Sequence, residues 1–365
     1  MMGDQKQMAV FKRVFLCYLL HYLVIIPAAL ITYFWLPDFP GPTATMEVTS
    51  SWFLNLWTRY DSGWYYDIIK SGYTAKSVAF FPLYPFTVKL FSRLLDVHPV
   101  AVGLIISNLA FFGLLWFLYK LVQREFGTGA AQKATLYYAL FPTGIFFSAM
   151  YTESMFMFFV LGAFYFAGER KWTAAGLMGG LAALTRNLGV YLFISLGYLY
   201  LKQADFRLRN FKLNSFALGL IPLGLAVYML YLHVHFNDAF AFVHAQKYWN
   251  RELVFPLAAL VNSGIKESGP SIVFLSLLLV AVFRLPPHYW IYYAFMLLIP
   301  MSMGVKWEGE IRLFAMLRYI LPCFPAMIIL AKWGRFKSLN YSILTLFICG
   351  LVFFTALFVK GFFIA

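Results

Sequence analysis

The sequence predicts an all-α protein that crosses a membrane many times, and three observations carry this. First, its 365 residues are 62% hydrophobic and only 12% charged, whereas an average soluble domain is about 45–50% apolar and about 25% charged. Second, the apolar residues fall in long unbroken runs, not in the short alternating strands of an outer-membrane barrel. Third, the basic residues recur as small clusters between those runs. A soluble globular chain and a disordered chain are both excluded. The net charge of +14 forms no single solvated patch, so it reads as a topology signal and not as a nucleic-acid surface.

A spanning helix needs about 20 mostly apolar residues. The first candidate, Phe11–Trp35, is too long for a signal peptide and lacks an A-x-A site after it, so it reads as an anchor. Next comes Ala79–Leu95, which Pro82, Pro85, Lys89 and Arg93 interrupt; it reads as a re-entrant or interfacial helix. Val100–Val122, Ala134–Met150, Ser154–Gly168, Trp172–Leu184, Gly189–Leu201 and Leu213–His235 follow as spans. Ser271–Phe283, His288–Gly304, Phe314–Ala331 and Tyr341–Val359 complete a set of eleven. Residues 36–98 then form a long first outer loop, and the chain is one membrane domain over 1–365. Gly176, Gly179 and Gly180 in AAGLMGGLAAL make a small-xxx-small pattern suited to close helix packing. Cys17, Cys323 and Cys349 all sit inside apolar runs and read as core thiols.

The charge distribution supports this topology. With the N-terminus in the cytoplasm, the inner segments hold 16 of the 29 basic residues and only four acidic ones, a balance of +12. The outer side keeps 13 basic and 11 acidic residues, a balance of +2. Inner loops of membrane proteins carry such an excess. If Ala79–Leu95 were a full span, every later segment would invert and the bias would collapse. The expected location is a multi-pass cell membrane.

Polar chemistry collects on the outer segments. WTRYDSGWYYDIIKSGY (Trp57–Tyr73) places Asp61 and Asp67 among Trp57, Arg59, Trp64 and Tyr65. Aromatics alone would suit an interfacial belt, but they do not explain a carboxylate held in so apolar a stretch. FPTGIFFSAMYTESMF (Phe141–Phe156) puts Tyr151 and Glu153 at the next outer turn, and LTRNLGV (Leu184–Val190) adds Arg186 and Asn187. The topology brings Asp61, Glu153 and Arg186 to one outer face. Lys247, Lys306, Arg312 and Arg318 supply further outer cations; Glu308 and Glu310 accompany them. Guanidinium and ammonium groups suit a phosphate. The outer histidines His233, His235 and His244 lack a recognisable metal spacing, so neither a metal nor another cofactor is indicated. Walker A, G-x-S-x-G and Rossmann fingerprints are absent.

Four blocks carry a family resemblance: WTRYDSGWYYDIIKSGY, AFFPLYP, FPTGIFFSAMYTESMF with the following AGLMGGLAALTRNLGV, and LRYILP. In this order they resemble the membrane mannosyltransferases typified by the second mannosyltransferase of GPI-anchor assembly and its prokaryotic relatives. The resemblance implies a GT-C-type glycosyltransferase fold, an active site on the extracytoplasmic face and a polyprenyl- or dolichyl-phosphate sugar donor. Trp64 stands where the family often has His, so any role of that His is absent or moved. The compact outer loops favour a prokaryotic relative.

On this reading a hexose, mannose by analogy, passes with inversion to an acceptor hydroxyl of a lipid, glycan or protein. Asp61 is the candidate base and Glu153 a second carboxylate. Arg186 and Arg318, with Lys247 and Arg312 as weaker candidates, are the phosphate ligands. Arg59, Trp57, Trp64, Tyr65, Asp67, Tyr151 and Asn187 are candidate positioning residues. Two rival classes stay open at this point: a lipid flippase or secondary transporter, which would put charges and broken helices near the midplane, and a membrane scaffold, which needs no converging carboxylates and cations.

Overall fold

The computed structural model describes residues 2–37, 48–307 and 309–364. In chain order its main helices are α1 (Met2–Trp35), α2 (Asp61–Ser71), α3 (Leu83–Leu95), α4 (Pro99–Phe126), α5 (Thr128–Ala139), α6 (Glu153–Gly168) and α7 (Trp172–Thr185). They continue as α8 (Leu192–Gln203), α9 (Leu220–Phe236), α10 (Ile265–Arg284), α11 (Pro287–Met301), α12 (Pro325–Trp333) and α13 (Lys337–Val359). Among the described residues, five helical segments are long and apolar enough to cross a membrane: Gln7–Trp35, Pro99–Phe126, Leu213–Phe236, Ile265–Arg284 and Lys337–Val359. Each matches one of the eleven expected spans. The chain divides into two units: one runs to Tyr66 and adds Val88–Leu161 and Met327–Ile364, and the other comprises Asp67–Thr87 and Gly162–Ala326.

In the first unit α1 packs against α4, α5 and α13. The expected single span Ala134–Met150 is broken. Helix α5 ends at Ala139, and only the turn Ile145–Ser148 follows. Pro142 explains the stop, since it has no N–H to continue the ladder. A helix end in apolar surroundings needs an internal partner for its carbonyls. His21 on α1 provides one: its Nδ1 lies 2.7 Å from the Ala139 carbonyl, and its Nε2 lies 2.8 Å from Ser148 Oγ. Because Nδ1 faces a carbonyl it must carry the proton.

Helix α3 has 13 residues, about 20 Å at 1.5 Å per residue, too short for a hydrocarbon core of about 30 Å. Its Tyr84, Val88 and Ser92 are buried at helical spacing, while Phe86, Leu90, Phe91, Leu94 and Leu95 are exposed. That one-sided pattern fits the interfacial reading of Ala79–Leu95.

In the second unit α7 packs on α9 and on the 3-10 turn Leu213–Gly219. The glycine pattern is what permits this approach. A Cβ on Gly180 would lie 2.6 Å from the Leu220 carbonyl oxygen, one on Gly179 would lie 2.6 Å from Ile221 Cγ1, and one on Gly176 would overlap the Ala217 carbonyl. Gly176→Ala is therefore expected to destabilise the protein by about 1–3 kcal/mol, as overpacking does. Gly197→Ala on α8, where a Cβ meets nothing within 4 Å, is expected to be neutral. Thermal unfolding of the purified variants in detergent checks both.

Two more expected spans change form in this unit. Phe314–Ala331 becomes the turn Met316–Tyr319 and, after a break at Pro322, helix α12. His288–Gly304 is helical only to Met301 and then enters a strand. The strands β1 (Arg251–Leu253), β2 (Met303–Trp307) and β3 (Glu310–Arg312) form an antiparallel sheet in that order. This small sheet is an addition to the all-α expectation. Its hairpin is closed by the Trp307–Glu310 pair, with Gly309 at φ +86°, a left-handed turn position that favours glycine. Gly304 lets β3 approach, because a Cβ there would overlap Ile311 Cγ2.

Candidate active site

The first unit presents the carboxylates. Asp61 is the first residue of α2, and Glu153 is the first residue of α6. Asp61 is half-buried, and Glu153 is 1% exposed.

Hydrogen bonds stitch the two segments that carry them. Met150 N–H donates to the Trp57 carbonyl at 3.2 Å, and Ser62 Oγ donates to the Met150 carbonyl at 3.2 Å. Tyr151 O–H donates to the Arg59 carbonyl at 2.9 Å. Tyr65 and Thr152 hydroxyls lie 3.2 Å apart. The blocks around Asp61 and Glu153, 92 residues apart in sequence, are thus laced together by their immediate neighbours. All seven residues in these bonds, Trp57, Arg59, Ser62, Tyr65, Met150, Tyr151 and Thr152, are buried, so the bonds form away from water and resist loosening.

Arg59 has a structural task here. Its buried guanidinium donates to the main-chain oxygens of Thr58 and Val359, at 3.0 Å each, and also to that of Asn55. Tyr60 adopts φ +48° and donates its O–H to the Gly361 carbonyl. Together they fasten the turn before Asp61 to the end of α13. Trp64 is half-buried and Asp67 is exposed. On a helix six residues apart means about 120° of separation, and the differing exposure of Asp61 and Asp67 agrees with it.

The second unit presents the cations. Arg186 ends α7 in extended conformation, at φ −152° and ψ 145°. Its carbonyl accepts from Gly189 N–H at 2.9 Å, and a Cβ on Gly189 would overlap the Ala182 main chain. Asn187 is exposed. Arg318, 9% exposed, lies on the turn Met316–Tyr319. The Glu267 carboxylate anchors that turn by accepting from Met316 N–H at 3.2 Å.

Tyr319 is the meeting point. The Arg186 guanidinium lies 5.9 Å from its ring centroid, and that of Arg251 lies 5.6 Å away. Arg251 Nη2 also donates to the Tyr319 hydroxyl at 2.9 Å, and Arg318 acts on the same phenol electrostatically. Two of the three arginines are the expected phosphate ligands. Arg251 and Tyr319 are additions; the one legible hint was Tyr319's place beside Arg318 in LRYILP. Lys247 and Arg312 stand differently. Lys247 is exposed over the Tyr248 ring, and Arg312 pairs with Glu310 at 3.0 Å. Glu308 lies outside the described residues.

The first unit thus carries a half-buried and a buried carboxylate at helix starts, the second carries arginines beside Tyr319, and the chain has apolar helices long enough to cross a membrane. The fold is that of the GT-C membrane glycosyltransferases. The structure is similar to that of ArnT from Cupriavidus metallidurans bound to undecaprenyl phosphate, with 16% identity, a TM-score of 0.53, and coverage of 89% of this chain and 62% of ArnT. The apo state of ArnT gives 16% identity, a TM-score of 0.51, and coverage of 89% and 61%. An oligosaccharyltransferase from Archaeoglobus fulgidus tethered to an acceptor peptide gives 13% identity, a TM-score of 0.47, and coverage of 93% and 55%. This chain spans less than two thirds of the length of each of these. Comparison with curated proteins returns no match. The family model described as Mannosyltransferase (PIG-V) matches residues 6–248, and the chain belongs to that family.

Proposed function

We propose that the protein transfers a hexose, mannose by its family, from a polyprenyl-phosphate donor to a hydroxyl on an extracytoplasmic acceptor. The observation that carries this reading is the approach of Arg186 and Arg251 to Tyr319, the neighbour of Arg318 on the turn Met316–Tyr319, in a chain whose family blocks also supply Asp61 and Glu153 at helix starts. A guanidinium cluster suits a phosphate. The likeness to an ArnT bound to undecaprenyl phosphate supports a lipid carrier.

The chemistry follows from the donor. A phosphodiester-linked sugar has a good leaving group, so no acid is needed to protonate it. The acceptor oxygen attacks the anomeric carbon as its bond to the phosphate oxygen breaks. Asp61 takes the hydroxyl proton, and the polyprenyl phosphate leaves with its charge held by the arginines. Glu153 positions the acceptor or assists Asp61. A single displacement inverts the anomeric centre.

Purified protein is expected to consume a polyprenyl-phosphate hexose and to ignore a nucleotide sugar; transfer from the nucleotide sugar would sink this reading. Sidedness has its own test in a prokaryotic plasma membrane, where the N-terminus is expected inside. Ser50 and Asp205 are both exposed. A cysteine label at Ser50 should react from outside the cell and one at Asp205 should not. Outside reaction at Asp205 would turn every proposed site residue toward the cytoplasm.

A further inference from the structure

The geometry points to Arg251 and Tyr319 as direct ligands of the donor phosphate, completing the anion site to which Arg186 and Arg318 belong; this rests on the lipid-phosphate donor reading above. Arg251 lies beyond residue 248, where the family match ends, so nothing in the family blocks assigns it.

The sheet shows why Arg251 differs from its neighbours. Arg251 pairs with Val305, which pairs with Arg312, so the three residues share one face of the sheet. The other sheet cations have carboxylate partners: Arg312 with Glu310 at 3.0 Å, and Lys306 with Glu252 at 3.8 Å. Among the described residues Arg251 has only neutral ones. Its Nη1 donates to Gln246 Oε1 at 3.2 Å and its Nη2 to the Tyr319 hydroxyl at 2.9 Å. Its Nε is buried and has no acceptor among the described residues. Arg251 is half-buried, and shielding part of a guanidinium from water without a counter-ion carries a cost; a phosphate oxygen would supply both the charge and the acceptor that Nε lacks.

Tyr319 completes the argument. Its oxygen accepts from Arg251, which leaves its own O–H to donate. With the guanidiniums of Arg186 and Arg251 against its ring, the group best matched to that proton is an anionic oxygen. An aromatic ring flanked by two guanidiniums also holds them in place, since cations are attracted to its face. Phosphate is the anion that guanidinium forks match in shape as well as charge.

The test uses the full-length protein in detergent or nanodiscs, with polyprenyl phosphate and the uncharged polyprenol as paired probes, and with the polyprenyl-phosphate hexose for kinetics. Arg251→Gln is expected to weaken polyprenyl-phosphate binding by about 10–100-fold, the range for hydrogen bonds to charged groups, and to raise the donor KM far more than it lowers kcat. Polyprenol binding should not change, which also reports that the variant is folded. Arg251→Lys should recover part of the loss, because it keeps the charge but not the fork. Tyr319→Phe keeps the ring and removes only the O–H; a loss of about 3–10-fold in phosphate-lipid binding is expected, as for one hydrogen bond of roughly 1 kcal/mol. If the wild type prefers polyprenyl phosphate over polyprenol while Arg251→Gln and Tyr319→Phe keep that preference unchanged, the assignment of these two residues is overturned and the donor reading stands. If the wild type shows no preference for the phosphate-bearing lipid, the donor reading falls and takes this inference with it.

Discussion

Asp61→Asn is expected to slow transfer by about 10²–10⁴-fold, the usual loss when a general base is removed, with folding and lipid binding kept. Asparagine preserves the volume and still accepts a hydrogen bond at the start of α2, a position where it is well tolerated. It cannot take the proton of the acceptor hydroxyl. The segment around Asp61 is also held by its neighbours: Arg59 and Tyr60 fasten the turn through main-chain oxygens, and Ser62 and Tyr65 lace it to Met150 and Thr152. Asp67→Asn is the internal control. Asp67 is exposed and lies on another face of the same helix, so its loss should matter far less. Near-normal turnover in Asp61→Asn with loss in Asp67→Asn would show that the wrong carboxylate has been chosen. Normal turnover in both would reduce this segment to an aromatic belt.

Arg186→Ala is expected to weaken donor binding by about 10–100-fold, as removal of a charge-assisted phosphate contact does. The signature should be a raised KM for the lipid-phosphate sugar with a smaller change in kcat, because the base is untouched. The structure gives a reason to expect a local effect. Gly189 packed against Ala182 and the end of α7 both constrain the backbone at Arg186. Arg186→Lys should retain part of the affinity, since charge survives without the planar fork. An unchanged donor KM in Arg186→Ala would remove Arg186 from the anion site.

Much of this was legible in the sequence because membrane helices announce themselves by length and apolarity. The spans at Phe11–Trp35, Val100–Val122 and Tyr341–Val359 needed no other information. The glycine pattern of α7 likewise implied the close approach that Ala217 and Leu220 now show. What stayed hidden depends on single residues acting against the run. Pro142 stops α5 inside an apolar stretch, and Pro322 splits Phe314–Ala331, yet both runs have the composition of one helix. The sheet was hidden for a different reason: its three strands are short and come from segments some fifty residues apart, so no local periodicity reveals them. Arg251 was missed with it. Nothing in the stretch around Arg251 distinguishes it from Lys247 or Arg312; only the pairing of Arg312 with Glu310 and the approach of Arg251 to Tyr319 separate them. In the carboxylate segments the residue types were legible, but the division of labour was not. Arg59 looks like a substrate ligand in WTRYDSG and holds the main chain of α13's end.

The most direct test of the account is a density map of the protein with a bound polyprenyl phosphate. The account predicts the phosphate within hydrogen-bonding distance of the guanidiniums of Arg186, Arg251 and Arg318, at the Tyr319 hydroxyl. A well-defined lipid phosphate held elsewhere, with those three arginines facing no part of it, would contradict the account.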